Sequence, residues 1–185
     1  MHATVCDIIA DLVQNSIEAG ASQVTLEVST DPERIGVCIV DNGKGMDEIT
    51  LKRAMEPFYS EAGKHDHRRV GLGLPFLIQT AEAAGGAVSI QSKPGSGTTV
   101  RFHLDAKHWD TPPMGSLAQT VLGLMAFGNM TNLILTRKTE TDSYVVSRND
   151  LVDALGNLEE AGALILAKEY LESQENDLLQ SNPID

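Results

Sequence analysis

Apolar residues recur along the first half of the chain with two different spacings. In residues 3–19 they come three or four positions apart, which predicts a helix that ends at Gly20. Residues 23–29 and 35–40 alternate or run apolar, which predicts two strands joined by a turn at Pro32. The same patterns predict a short helix at 47–54, a helix at 74–84 and strands at 87–92 and 98–104. Because both strand pairs have hairpin-length links, we expect an α+β two-layer sandwich, in which a mostly antiparallel, mixed sheet is covered by helices on one face.

The second half of the chain begins after the proline-containing segment 110–113. We predict a first domain at 1–109 and a C-terminal extension of unknown role at 110–185. In the extension, the pattern predicts the following elements: a helix at about 116–127, strands near 132–137 and 143–147, and one or two acidic helices to about residue 179. Residues 159–179 are interpreted as a solvated amphipathic helix, and self-association into a homodimer is the alternative.

The chain is acidic, with 14 Lys+Arg against 26 Asp+Glu and a formal net charge of −12. A surface that binds nucleic acid or an anionic membrane needs basic patches, and no basic run here is longer than Arg68-Arg69. We therefore expect neither nucleic acid nor membrane as a partner. A nucleotide stays possible, because small sites hold phosphate with backbone N–H groups and a metal ion.

The first residues, the apolar segments and the cysteines indicate a cytoplasmic protein. Residues 1–5 lack the features of a secretory signal. Polar residues interrupt the most apolar window, 117–135, which therefore fits a core helix and strand better than a membrane span. Cys6 and Cys38 lie far apart without a CxxC motif, which favours inert buried thiols over a disulfide or a metal pair.

The first predicted helix carries two polar residues, Asp11 and Asn15, four positions apart and therefore on one face. Ile8 and Leu12 lie nearby on the same helix, so the polar pair borders the core. Taken alone, such a pair is more typical of solvated side chains than of a binding site.

A second motif, DNGKGM at 41–46, follows an apolar strand. Asn and Gly tolerate positive φ, so one interpretation is a plain turn. In the other interpretation, the Asp41 carboxylate accepts the exocyclic amine of adenine, and Gly43 and Gly45 let the backbone approach the ring.

A third motif, VGLGL at 70–74, joins the polar segment 60–69 to a helix. Small residues before a helix leave its first N–H groups free, and these groups together with the helix dipole favour phosphate. A glycine linker is the alternative. The motif is neither a P-loop nor a dinucleotide fingerprint, because no GxxxxGK[S/T] occurs and the third glycine of GxGxxG is missing.

In this order and spacing, the three motifs resemble the GHKL superfamily of ATP-binding domains, which includes gyrase, heat-shock chaperones, histidine kinases and MutL. The resemblance covers about residues 3–105. Residues 56–59 (EPFY) are similar to the F box of histidine kinases, and residues 95–99 (GSGTT) to the closing glycine-threonine motif. The resemblance implies the Bergerat fold, with ATP and Mg²⁺ as cofactors.

The resemblance also implies roles for individual residues. Asn15 would ligate Mg²⁺ at the phosphates. Asp41 would hold the adenine amine while Gly45 and Met46 line the ring, and Thr99 would contact adenine through water. Residues 60–69 would form a lid over the phosphates. The remaining nucleotide contacts implied by the lid and the glycine motif are Phe58, Arg69, Gly71, Leu72, Gly73 and Leu74.

The motifs point to two branches of the superfamily. Residues 12–22 are similar to the mismatch-repair and chaperone branch, in which a Glu four residues before the Asn activates water. Asp11 occupies that position here and is the candidate base, although its side chain is one methylene shorter. The F box, the short lid and the GLGL sequence are similar to histidine kinases, the branch that we favour.

One departure from sensor kinases concerns the phosphoacceptor histidine. Sensor kinases carry it in a helical domain before the ATP domain, whereas here the ATP-binding pattern begins at Met1 and no histidine has an HExxxP context. We therefore expect phosphotransfer to a partner protein in trans. The alternatives are an ATP-gated interaction switch, and ATP hydrolysis of the MutL or chaperone type with Asp11 as base.

Overall fold

The computed structural model of the protein describes residues 4–56, 73–127 and 131–180. Within these ranges the chain forms six helices: α1 (Val5–Glu18), α2 (Glu48–Ala54), α3 (Gly73–Ala83), α4 (Leu117–Phe127), α5 (Arg148–Leu155) and α6 (Ala161–Gln180). The same ranges contain six strands: β1 (Gln23–Thr30), β2 (Arg34–Asp41), β3 (Ala87–Lys93), β4 (Gly97–Asp105), β5 (Asn132–Lys138) and β6 (Ser143–Ser147). Every helix and strand predicted from the sequence pattern is present.

The strands of the described ranges form one six-stranded sheet in the order β3-β4-β2-β1-β5-β6. Neighbouring strands are antiparallel except β1 and β5, which run parallel. The predicted mostly antiparallel, mixed sheet is therefore confirmed. Because β5 and β6 follow the segment 110–113, the C-terminal region extends the sheet of the preceding region. The division into domains at 1–109 and 110–185 stays a prediction.

One face of the sheet is apolar and lies under the helices. The buried residues that the four central strands contribute to this face are Val24, Leu26, Val28, Val37, Ile39, Val100, Phe102, Leu104, Leu133 and Leu135. The opposite face carries Thr25, Arg101 and the ion pair between Lys138 Nζ and Glu27 Oε2 (2.9 Å). Since successive side chains of a strand point to opposite faces, this division places the helix layer on one side, as predicted.

Helix α1 lies at the centre of the helix layer. The residues that it buries recur every three or four positions: Val5, Ile8, Ile9, Leu12, Val13, Ser16 and Ile17. A capping box closes its N-terminus, because Thr4 Oγ1 accepts from the N–H of Asp7 (3.1 Å) and Asp7 Oδ2 accepts from the N–H of Thr4 (2.9 Å). The position of α1 decides where the polar residues on its other face lie.

The most apolar window of the sequence contributes to α4 and β5, as predicted. The buried residues of α4 are Leu117, Ala118, Val121, Leu122, Met125 and Ala126, and the helix packs against α1 and α6. Among the residues that the structure describes, no helix combines the length and the apolarity that a membrane span requires.

Both cysteines are free thiols, and they differ in burial. Cys6 is buried in α1, whereas Cys38 is half-buried on the polar face of β2. The prediction of a buried thiol is therefore right for Cys6 only. Burial raises the pKa of the Cys6 thiol from 9.0 to about 11, and the nearby carboxylates of Asp7 and Glu175 act in the same direction.

This shift predicts a loss of stability at alkaline pH. The folded protein holds the Cys6 proton more tightly than the unfolded chain, so its contribution is complete below pH 9.0 and is lost as the pH rises to about 11. The loss should be about 2 kcal/mol in the free energy of unfolding. Urea unfolding of the wild type and of Cys6→Ala across this pH range measures it, with Cys38→Ala as the control for removing a thiol. A constant difference between wild type and Cys6→Ala would contradict the prediction.

Candidate nucleotide-binding site

Asp41 ends β2 with its carboxylate turned towards the helix layer, and only 8% of the residue is exposed. Three donors of the described residues contact this carboxylate. The hydroxyl of Ser16 donates to Oδ2 (2.9 Å), and the N–H groups of Gly43 (2.8 Å) and Thr98 (3.2 Å) donate to Oδ1. The buried charge is thus stabilised by α1, by the loop after β2 and by the start of β4.

The number of these donors leaves room for one more on Asp41. Each carboxylate oxygen accepts two hydrogen bonds, so the N–H groups of Gly43 and Thr98 occupy Oδ1 fully. Oδ2 receives only the Ser16 hydroxyl among the described residues and keeps one acceptor position. An exocyclic amine is a donor that fits this position.

Two glycines of the site leave no space for a side chain. A Cβ on Gly45 (φ 64°) would lie 2.0 Å from the carbonyl oxygen of Lys93. A Cβ on Gly97 (φ 87°) would lie 1.9 Å from the carbonyl oxygen of Asp41. Both also have the positive φ that other residues rarely adopt. These glycines allow the loop after β2 to lie directly against the turn between β3 and β4.

Hydrogen bonds hold the loop after β2 in this place. The N–H of Gly95 donates to the carbonyl of Lys44 (2.7 Å), and the N–H of Met46 donates to Ser92 Oγ (2.8 Å). On its other side, the N–H of Lys44 donates to the carbonyl of Ala19 at the end of α1 (3.0 Å). Gly45 and Met46, which are predicted to line the adenine ring, therefore belong to a loop that is hydrogen-bonded on both sides.

The closing threonines lie on opposite faces of β4. Thr98 shares the helix-covered face with Asp41, and its hydroxyl lies 2.9 Å from that of Ser92. Thr99 pairs with Val40 and Gln91, whose side chains belong to the polar face. The structure thus brings Thr98 to Asp41 and places Thr99, the residue assigned from the sequence, on the other side of the sheet.

Asp11 and Asn15 lie on the exposed side of α1 next to the first residue of α3. A Cβ on Gly73 would lie 3.3 Å from Asn15 Nδ2 and 3.9 Å from Asp11 Cβ. The N–H groups at the start of a helix have no partner within it, and Pro75 contributes no donor in this turn. The start of α3, whose Gly73 and Leu74 N–H groups could hold a phosphate, thus lies beside Asn15, whose amide oxygen is a ligand type that suits Mg²⁺.

Part of the predicted site falls outside the described residues. This applies to the lid at 60–69 and to four of the assigned contacts, namely Phe58, Arg69, Gly71 and Leu72. Among the residues that are described, no group of three His, Cys, Asp or Glu side chains is arranged to hold a metal ion.

The sequence motifs do not predict the contacts that Ser16 and Thr98 make with Asp41. Ser16 follows Leu12 and Val13 at helical spacing, so a polar residue interrupts the buried stripe of α1. A buried hydroxyl needs a partner, and that requirement was the available signal. Thr98 differs from the assigned Thr99 by one position, which in a strand means the other face.

The fold and this site define an ATPase domain of the GHKL type. Residues 3–108 match the family described as histidine kinase-, DNA gyrase B-, and HSP90-like ATPase, which is more than half of the chain. The protein belongs to that family.

Several sensor kinases are similar to the same part of the chain. Sensor histidine kinase YcbM of Bacillus subtilis is 34% identical over 101 residues, which are 52% of this chain and 32% of YcbM. Sensor histidine kinase YxdK of the same organism is 31% identical over 98 residues, 51% of this chain and 30% of YxdK. Signal transduction histidine-protein kinase AfsQ2 of Streptomyces coelicolor is 29% identical over 98 residues, which are 52% of this chain and 18% of AfsQ2. The chain spans about a third or less of the length of these relatives.

The acceptor position on Asp41 leads to a first test of the site. Asp41→Asn replaces one carboxylate oxygen by an amide NH₂. In either orientation of the amide, this NH₂ group faces a hydrogen-bond donor. ATP binding should weaken by about 1.5–3 kcal/mol, roughly ten- to 150-fold, in titration calorimetry. Asp153→Asn, which makes the same change on the exposed surface of α5, is the matched control. Unchanged affinity in a folded Asp41→Asn protein would refute the pocket.

The two threonines allow a second test. Thr98→Val and Thr99→Val each replace a hydroxyl by a methyl group of similar size in neighbouring residues of β4. Only Thr98→Val removes a group on the Asp41 side, so it should weaken ATP binding by about 1 kcal/mol, roughly fivefold. Thr99→Val should bind ATP like the wild type in the same calorimetric assay. The opposite result would restore the assignment to Thr99.

Proposed function

We propose that this protein binds ATP with Mg²⁺ and transfers the γ-phosphate to a partner protein in trans. The observation that carries the proposal is the placement of two consecutive residues of α1. Ser16 contacts the buried Asp41, while Asn15 lies beside the start of α3. Consecutive helix residues point about 100° apart, so one turn of α1 serves an adenine end and a phosphate end.

In this proposal each end of the nucleotide has its own residues. Oδ2 of Asp41 accepts the adenine amine, Gly45 and Met46 line the ring, and Thr98 takes the role first assigned to Thr99. At the other end, Asn15 ligates Mg²⁺. The phosphates contact backbone groups and the lid through residues that include Phe58, Arg69, Gly71, Leu72, Gly73 and Leu74.

Transfer is favoured over hydrolysis by the relatives and by the candidate base. The similar proteins carry the names of sensor histidine kinases. Asp11 lies next to Asn15 and Gly73, so it is near the phosphate end, but its carboxylate reaches less far than the glutamate of the hydrolases that its motif resembles. Hydrolysis of the MutL or chaperone type with Asp11 as base is therefore the less favoured function.

A separate observation supports an ATP-gated interaction switch as a second candidate. The N–H of Ser22 donates to Asn42 Oδ1, next to Asp41, at 3.0 Å. The same turn binds the start of β5, because Thr131 Oγ1 donates to the carbonyl of Ala21 (2.8 Å) and the N–H of Asn132 donates to the carbonyl of Ser22 (2.9 Å). The nucleotide site and the C-terminal region thus share one turn.

The fate of the γ-phosphate separates these functions. With γ-labelled ATP, a cell extract and the purified chain, we expect label on a partner protein and slow release of free phosphate. At ATP concentrations below the dissociation constant, Asp41→Asn should lower the labelling about tenfold or more, and Asp153→Asn should not. Rapid phosphate release by the isolated chain, lost in Asp11→Asn although ATP still binds, would instead identify a hydrolase. A switch predicts neither label nor release but a change in partner affinity with ATP.

A further inference from the structure

Helix α6 is apolar on two sides. The residues that it buries on its inner side are Ala163, Ala167, Leu171 and Leu178. Its outer side exposes Ile165 (56%), Leu166 (53%) and Tyr170 (42%), and Glu169 lies among them. We call these four residues the α6 outer face. The outward side of a surface helix is normally polar, and clustered exposed apolar side chains mark interaction sites.

A buried polar contact fixes α6 on the sheet. Oε1 of Glu175 accepts from the hydroxyl of Tyr144 on β6 (2.5 Å) and lies 3.4 Å from Nε of Arg137 on β5. The Arg137 side chain is 3% exposed, and Glu175 is the carboxylate paired with it among the described residues. This contact and the buried inner side hold α6 in place, so its outer face is ordered before a partner binds. Little conformational entropy would then be lost on binding.

The charge around the α6 outer face indicates what it binds. Residues 159–172 contain four acidic residues and one basic residue, Lys168, whose Nζ lies 3.7 Å from Glu172 Oε1. Glu159 and Glu160 are exposed directly before α6, and Glu169 lies within the patch. In a symmetric dimer the same patch meets itself, so a second copy would bring these carboxylates together in chains of net charge −12. A partner with basic residues around an apolar centre would pair with them instead.

We propose that the α6 outer face docks a segment of a partner protein in which apolar side chains are flanked by Lys or Arg. This surface does not include the nucleotide site. The proposal therefore goes beyond phosphotransfer and does not depend on it.

Selection from a library of random peptides, without bias in charge, tests this proposal on the full chain. The selected peptides should be basic and apolar, and their affinity should fall when salt is raised. Binding should weaken about tenfold or more in Ile165→Ser/Leu166→Ser, which removes the apolar centre, and in Glu169→Lys, which repels a basic segment. Fluorescence titration of one selected peptide measures these affinities.

Two variants are matched controls. Leu179→Ser removes an equally exposed apolar residue of α6, 49% exposed, about 21 Å further along the helix from Ile165. Asp153→Lys reverses a charge on α5. Both should bind the peptide like the wild type, and thermal unfolding should show that all variants fold. Failure to select any peptide, selection of neutral or acidic peptides, equal binding by all variants, or dimerisation of the chain lost in Ile165→Ser/Leu166→Ser would overturn the proposal.

Discussion

The hydrogen bond from Ser16 to Asp41 crosses the boundary between helix α1 and the sheet, and both side chains are buried. A buried carboxylate is costly unless donors surround it. Here the donors come from α1, from Gly43 in the loop after β2 and from Thr98 at the start of β4. Satisfying one charge therefore fixes three elements relative to one another. These contacts also fix the acceptor position that the described residues leave on Asp41, and a preformed position lowers the cost of binding a ligand.

Helix α1 is held on two sides, by α3 and by α4 together with the segment before α4. On one side it packs against α3, whose first residue lies beside Asn15. On the other side it packs against α4, and the carbonyls of Pro113 and Met114 accept from the N–H groups of Val5 and Cys6, both at 2.9 Å. The C-terminal region thus completes the N-terminus of the helix that carries the site.

Local patterns in the sequence were enough for the helices and strands, because burial on one side imposes a period of 3.6 or 2 on each element. Local patterns could not predict that β1 pairs with β5. This pairing joins residues about 110 positions apart, and no short stretch of sequence indicates it. The choice between Thr98 and Thr99 has a similar cause, since a motif locates a residue along the chain but a strand's faces alternate at every position. The sequence pattern predicts an amphipathic helix at 159–179, and α6 has one buried side, but the pattern does not show that the other side exposes Ile165 and Leu166.

The shared turn between the nucleotide site and β5 limits how a switch could work. Hydrogen bonds join Asn42 to Ser22, Ser22 to Asn132, and Asn132 Oδ1 to the N–H of Asn149 at the start of α5 (3.2 Å). A chain of bonds within one continuous sheet transmits position, but a ligand shifts an equilibrium only where two states differ in their contacts with it. Seven consecutive residue pairs join β1 to β5, so swinging the C-terminal region away from the sheet would break a whole ladder at once. Any effect of nucleotide on the α6 outer face would therefore involve small shifts of packed elements such as α1, α4 and α5 rather than release of the C-terminal region.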